Sequence, residues 1–442
     1  MNEQARLNAE STPNVNLREA TLVWAKIGLL GFGGPAGQIA LMHRILVEEK
    51  CWISETRFLH ALNFCMLLPG PEAQQLATYV GWMLHKIRGG LIAGTLFILP
   101  GFIVILCLSY LYVTSGNLPV IQGLFAGLKA AVIVIVLQAI IRIGRRSLHT
   151  AGAMALAVSA FLAMFLWQVP FPWVILLAAT AGGLASRVSV GAAVGKREEP
   201  EVMRSADAAY VFRCVAIFGA LWLAPTVLLL VTLGPDNVFT AIGGFFSKMA
   251  VVTFGGAYAV LAYVSQEAVL TYNWLSPGEM IDGLALAETT PGPLILVTEF
   301  VGFVAAWRSP GTLSPGLAAV LGGALTTWVT FVPSFLWIFA GAPYIERLRH
   351  NRALASALAG VTAAVVGVIL HLALWFSTHA LFSATARFRF AGGVLELPVA
   401  TSFQTSSVLM TLIAAVLTFR LGASLLTTLT VTGALGVATY VL

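Results

Sequence analysis

Two short blocks interrupt long apolar stretches of this chain: Leu68-Pro69-Gly70-Pro71-Glu72-Ala73-Gln74-Gln75 and Thr289-Thr290-Pro291-Gly292-Pro293. Their prolines remove backbone donors and their glycines admit angles other residues avoid, so a helix must stop and restart at each. Pro71 is well suited to the first turn of the restarted helix, and the second block does the same. A helix N-terminus there exposes free N–H groups and a partial positive charge inside an apolar layer, which is anion-binding chemistry. Thr290 adds a hydroxyl, and Gln74 and Gln75 add amides. Glu72 fits two roles, complementing the dipole of its helix or exchanging a proton beside a bound anion. One such break is an ordinary kink of a membrane helix; two at corresponding positions point to a site.

Further candidates lie nearby. Gly33-Gly34 and Gly255-Gly256, each after a phenylalanine, mark a second unwound point or a close backbone approach. Lys26 and Lys248 precede these pairs by six residues before the phenylalanine, about 9 Å along a helix. A lysine inside a span is functional unless it snorkels; Lys26 can reach a membrane face, whereas Lys248 is further from either end. Lys129 stands mid-span as a third cation or the partner of a buried acid. Glu288 and Glu299 are further buried charges, with Asp282 and Glu279 nearer a span end. The histidines show no HxxxH or HExxH spacing and the cysteines no CxxC pair, so neither a metal centre, a disulfide framework nor a cofactor is expected.

The elements that must position these residues follow from composition. Of 442 residues, 58% are hydrophobic and 10% charged, with mean hydropathy +0.88. A soluble enzyme of this size needs far more charge on its surface, and an outer-membrane barrel would alternate polar and apolar residues. An all-α polytopic membrane protein remains. Its thirteen expected spans are 20–41, 57–84, 89–113, 118–141, 149–168, 170–186, 209–233, 238–262, 277–303, 314–340, 351–374, 400–418 and 422–441. The second and ninth are broken by Pro-Gly-Pro. The net charge of +6 reads as topology signal, not as nucleic-acid binding. With the N-terminus in the cytoplasm, sixteen of 25 Lys and Arg fall inside and six outside, the latter being Arg44, Lys50, Arg57, Arg308, Arg387 and Arg389. Residues 1–19 form a cytoplasmic segment without signal-peptide character. They precede a first membrane repeat (20–186), a charged linker with a connecting span (187–237) and a second repeat (238–442).

The repeat is legible directly. At an offset of 222, Trp24–Pro71 lies on Phe246–Pro293 without a gap, with twelve of 48 positions identical, including Lys26/Lys248, Trp52/Trp274, Ser54/Ser276 and both Pro-Gly-Pro triplets. The offset then becomes 233, placing Pro100 on Pro333. Two six-span halves joined by one span must have opposite orientation, the architecture of secondary transporters with a midplane site. The plainer alternative is a duplicated structural bundle packed through glycine.

These motifs resemble the chromate ion transporter family, specifically its long, two-domain members. The resemblance rests on Phe32-Gly33-Gly34-Pro35, Trp52, Ser54, the Leu68–Gln75 block, Phe254-Gly255-Gly256 and Thr290-Pro291-Gly292-Pro293, and it covers nearly the whole chain. It implies export of chromate across the bacterial inner membrane, driven by membrane potential or proton gradient, and hence chromate resistance. The second half departs from the first by reading Leu294-Ile295-Leu296-Val297 where the first carries Glu72 and its glutamines. Chromate is a tetrahedral dianion, which needs N–H and cationic donors converging from several directions. Sulfate has the same charge and nearly the same shape, so it is the alternative substrate. An intramembrane lipid-phosphate enzyme or a membrane scaffold are the readings from other classes. The lipid bilayer is the expected surrounding, and the oligomeric state, a homodimer included, is left open.

Overall fold

The computed structural model describes residues 15–188, 208–254, 256–342, 352–390 and 393–441. The candidate Gly255, most of the N-terminal segment and the charged linker lie outside these. The elements in chain order are α1 (Leu17–Leu30), α2 (Gly34–His43), α3 (Glu55–Cys65), α4 (Glu72–Ser115), α5 (Pro119–Ser147), α6 (Ala151–Trp167), α7 (Phe171–Val188), α8 (Ala208–Leu233) and α9 (Val238–Val252). There follow α10 (Ala257–Ser265), α11 (Pro277–Thr289), α12 (Val297–Arg308), α13 (Pro315–Gly341), α14 (Arg352–Leu381), the antiparallel hairpin β1 (Thr385–Phe390) and β2 (Gly393–Pro398), α15 (Thr405–Ala415) and α16 (Leu425–Val441). Among the described residues, five helices are long and apolar enough to cross a bilayer: α4, α5, α8, α13 and Ala353–Leu381 of α14. The protein is a helical, polytopic membrane protein.

Four expected spans do not cross in a line; each folds back on itself. Over 20–41, α1 stops at Gly31, Gly33 and Gly34 take φ of +89° and +67°, and the chain returns through α2, so that Lys50 Nζ lies 2.7 Å from Glu19. A straight helix would hold those residues roughly 45 Å apart. Over 57–84, Gly70 at φ +116° turns the chain, and the rings of Phe64 and Tyr79 meet at 5.5 Å. Over 238–262 the return brings Phe246 within 6.2 Å of Trp274. Over 277–303, Arg308 Nη1 donates to Trp274 O at 2.6 Å and Nη2 reaches Glu279 at 2.5 Å. The physical cause is common to all four: a left-handed glycine cannot continue a right-handed helix, and it re-aims the chain.

The backbone repeats itself in detail at the offset of 222. π-helical turns occupy Arg44–Glu49 and Gln266–Thr271, left-handed non-glycine residues occupy Cys51 and Asn273, and side-chain caps occupy Ser54 and Ser276. The helix α4 is not one rod. His85 and Lys86 leave helical angles and the chain reverses, placing Gly81 against Gly89 and Ala93, and Thr78 against Gly94. Residues 87–115 then form a ruler through the molecule. His85 Nε2, just before this limb, meets Val15 O at 2.7 Å, Gly28 packs against Leu96 and Phe97, Gly101 packs against Pro291 and Gly292, and Tyr110 meets Trp307 at 6.1 Å. The bases of the first two folded-back hairpins therefore lie at one end of this limb, those of the last two at the other, and the bends in the middle.

Around this centre the longer helices pack through small residues. Gly123 and Gly127 of α5 let α16 approach at Thr432 and Gly436, and Gly182 of α7 meets Gly360 of α14. Such close backbone contact is how helices associate where lipid supplies no hydrophobic drive.

Candidate functional site

The four bends meet. Gly70 N–H donates to Thr253 O at 3.0 Å, and Gly292 N–H donates to Gly31 O at 3.0 Å. The offset of 222 carries residue 31 to 253 and 70 to 292, so the two bonds exchange under it. A second pair of contacts behaves likewise: Gly101 Cα lies 3.3 Å from the place a Cβ on Gly292 would take, and Ser334 Oγ lies 3.0 Å from the place a Cβ on Gly70 would take. Residues 101 and 334 are mates at the offset of 233. Such reciprocity, i on j and j on i, is the mark of a two-fold contact. It also consumes bend carbonyls that the ends of α1 and α9 would otherwise leave unpaired.

Glutamines brace the bends. Gln75 Nε2 donates to Pro69 O at 2.7 Å, and Gln74 Nε2 donates to Thr78 Oγ1 at 3.0 Å, both side chains being fully buried. Gln38, which the sequence reading passed over, is the central brace: its Nε2 donates to Gly31 O at 3.0 Å and also to Gly292 O, tying a bend of one half to a bend of the other. A buried amide four residues after Gly34, where its repeat mate is Val260, was the available signal. The side-chain carbonyls of Gln38, Gln74 and Gln75 and the Ser334 hydroxyl are buried without a hydrogen-bond partner among the described residues.

Glu72 begins the limb 72–84, with Pro71 as its cap. The first helical bond there is Gln75 N–H to Pro71 O, so the N–H groups of residues 72–74 precede the ladder. The carboxylate is half-buried and crosses to the other half; a Cβ on Gly256 would stand 3.7 Å from its Oε1. In the second half Pro291, Gly292, Pro293 and Leu294–Leu296 are buried, and Thr290 Oγ1 donates to Ala287 O at 3.2 Å. Gly33 is exposed and Gly34 half-buried at the surface of the first bend.

The remaining candidates divide. Lys26 and Lys248 are exposed, on equivalent outward faces of α1 and α9 beside Leu22 and Leu29 in one case and Gly244 and Val251 in the other. The structure does not bring them to the bends. Glu288 is buried beside the fourth bend and accepts from Tyr258 OH at 2.8 Å, with Arg142 interacting electrostatically with both. Glu299, on α12, is fully buried against Gly323 of α13, and neither carboxylate oxygen has a hydrogen-bond partner among the described residues. Lys129 is paired with Asp282 at 3.1 Å, away from the bends.

Comparison with known proteins adds the following. The family described as "Chromate transporter" matches residues 18–183 and 240–437. A chromate transport protein of Pseudomonas aeruginosa is 34% identical over 347 residues, covering 78% of this chain and 77% of that protein. One of Cupriavidus metallidurans is 28% identical over 382 residues, covering 82% and 83%. A probable chromate transport protein of Synechococcus elongatus is 28% identical over 365 residues, covering 81% and 84%. No solved structure matches the chain.

Proposed function

The chain belongs to the chromate transporter family, and from that premise we propose that it is a secondary active transporter that exports chromate from the cytoplasm through the junction of the four bends. The observation that carries this reading is the reciprocal pair of bonds between the bends, Gly70 to Thr253 and Gly292 to Gly31. A site held by backbone from both halves changes its exposure when the halves rock against each other, which is alternating access.

Opposed orientation of the halves supports the same reading. The limb 72–84 runs against 87–115, whereas its mate, ending at Arg308, runs along it from Leu296 at Gly101 to Trp307 at Tyr110. Equivalent segments thus point in opposite directions along one ruler, as inverted repeats related by an in-plane axis do. The folded-back hairpins also improve the charge bias. They return Arg44, Lys50 and Arg57 to the side of the N-terminus, which raises the count expected on that side from sixteen to nineteen of the 25 Lys and Arg. The positive-inside rule makes that side the cytoplasm of a bacterial inner membrane.

In this mechanism the dianion lies against the N–H groups of residues 72–74 and the glycine-rich backbone at Gly33, Gly34, Gly70, Gly256 and Gly292. Pro69, Pro71, Pro291 and Pro293 hold the bends rigid, Thr290 donates its hydroxyl proton to Ala287 O and so keeps its oxygen fixed at the bend, and the glutamines keep the donors aimed. Lys26 and Lys248, on the outward faces of their helices, act on the anion through their field and not by contact. Glu72, the acid at the seam, carries the coupling proton. Sulfate, alike in charge and shape, competes for the same donors. No reaction is catalysed, and export lowers cytoplasmic chromate and gives resistance. Purified protein in liposomes should move chromate, faster under an imposed proton gradient, with sulfate as a competitor; absence of flux for every oxyanion would overturn the reading.

A further inference from the structure

A second polar site lies at the base of the second-half hairpins. A cavity of about 570 Å³ opens there between α4, α5, α11, α12, α14, α15 and α16. It is far larger than one water needs and is lined by Lys129, Asp282, Glu279, Arg308 and Gln404, so it is a wet mouth. Two ion pairs stand in its wall, Lys129 with Asp282 at 3.1 Å and Arg308 with Glu279 at 2.5 Å. They are not alike. Arg308 is pinned twice, to Glu279 and to Trp274 O, and Glu279 completes the capping box of α11 with Ser276, so that pair holds an element together. Lys129 caps nothing. Its ammonium has three donors, and its recorded partner is Asp282, itself buried and held from the other side by Tyr112 OH at 3.0 Å. Asp282 stands eight residues before Thr290 on α11, about 12 Å along the helix from the fourth bend. The repeat mates of Asp282 and Lys129 are His60 and Thr362, so the pair has no counterpart at the opposite mouth.

We propose that Lys129 is a release subsite for the tetrahedral oxyanion at this mouth and that Asp282 is its tethered competitor. The inference rests on the transport reading above and extends it to the far end of the path. A dianion leaving the bends meets the ammonium and displaces the carboxylate, which stays bonded to Tyr112 OH. A buried carboxylate depends on its cationic partner, so Asp282 returns to Lys129 as the dianion departs and clears the subsite. A bare lysine would instead hold the anion and slow its release.

The test uses the full chain, with chromate and sulfate as probes, in two measurements: chromate-dependent thermal stabilisation in detergent and chromate flux in liposomes. D282N removes the competitor and should tighten chromate binding by about tenfold while slowing turnover; K129Q should weaken binding by a similar factor. The double variant K129Q/D282N should recover the abundance and melting temperature of the parent but not its flux. Recovery of flux together with stability, or a D282N protein whose chromate affinity matches the parent, would make the pair a structural ion pair and overturn the proposal. If the parent itself shows no flux, the transport reading fails, and the binding arm still decides whether Lys129 and Asp282 compete for an oxyanion.

Discussion

The two Pro-Gly-Pro bends have the same backbone and different chemistry. At the first, Gly70 is followed by Glu72, Gln74 and Gln75, and Glu72 is half-buried at the seam; at the second, Gly292 is followed by Leu294–Leu296, all buried. Gln38 stands where the second half has Val260, and it reaches Gly292 of the other half. Backbone donors therefore come from both halves, while the side chains that brace and charge the site come from one. On the transport reading, duplication would supply a pseudo-symmetric frame that rocks, and divergence of one copy would let a single acid couple it. The bends themselves should be intolerant in both halves, and everything built on side chains should be sensitive in the first half alone.

The largest effect is expected at the glycines. Gly70→Val places a Cβ in a left-handed conformation, 2.9 Å from Gln75 Nε2, and Gly292→Val does the same 3.1 Å from Leu296 Cδ1. Each substitution adds strain of about 1–3 kcal/mol before any repacking, and both should abolish flux with a fall in melting temperature. Gly34→Ala meets open space at φ +67° and should be the mildest of the three. A Gly292→Val protein that transports like the parent would show that the bends are not equivalent.

Next in size is Gln38→Leu. It removes the side-chain donor from the Gly292 carbonyl and leaves Gly31 O only the Gly292 N–H, at about 1–3 kcal/mol, whereas Val260→Leu at the mate position should cost little. Melting temperatures of the two proteins in detergent give the comparison directly, and equal losses would remove Gln38 from its bracing role.

Much of this frame was legible in the residues. Composition, the offset repeat and the duplicated Pro-Gly-Pro all describe chemistry that survives at the level of sequence, because proline and glycine act locally. The folding back was not legible. An apolar run of twenty residues reads the same whether it crosses or returns, and the contacts that decide it, such as Lys50 with Glu19, join residues distant along the chain. The face that the lysines occupy was not legible for a related reason. Lys26 and Lys248 match at the offset and lie near the glycine pairs, yet the helical face they occupy is set by packing of Val23, Trp24 and Ile27 inward, which turns the lysines out. Gln38 was invisible because its partner Gly292 is 254 residues away.

Glu72→Gln tests the divergence of the halves. The amide keeps the size of the side chain and cannot exchange a proton at neutral pH. Chromate binding should persist, while the acceleration of flux by a pH gradient should vanish. A Gln variant that still responds to the gradient as the parent does would leave Glu72 as a helix-end carboxylate, because a dipole-complementing role is expected to alter stability by only about 0.3–1 kcal/mol. Placing the acid at the mate position in that background, E72Q with L294E, asks whether the second bend can take over the coupling; with Leu294 fully enclosed, loss of folding is the expected outcome there.

The smallest effect is expected from the lysines, and it sharpens the comparison from the opposite side. Lys26 and Lys248 stand on equivalent exposed faces, so their contribution should be equal in the two halves, unlike that of Glu72 or Gln38. Acting through their field and not by contact, each should change chromate affinity only a few-fold on substitution by Gln. The effect should fade as ionic strength rises, since exposed charges are screened beyond about 10 Å at 0.1 M salt. Lys→Arg should keep nearly all of it, because a field depends on charge and not on donor geometry. Flux measured for K26Q and K248Q across a salt series decides the matter. A large, salt-independent loss in either one, unrescued by arginine, would mean that the lysine touches the anion in another state of the cycle, and that the outward face of its helix turns inward when the halves rock.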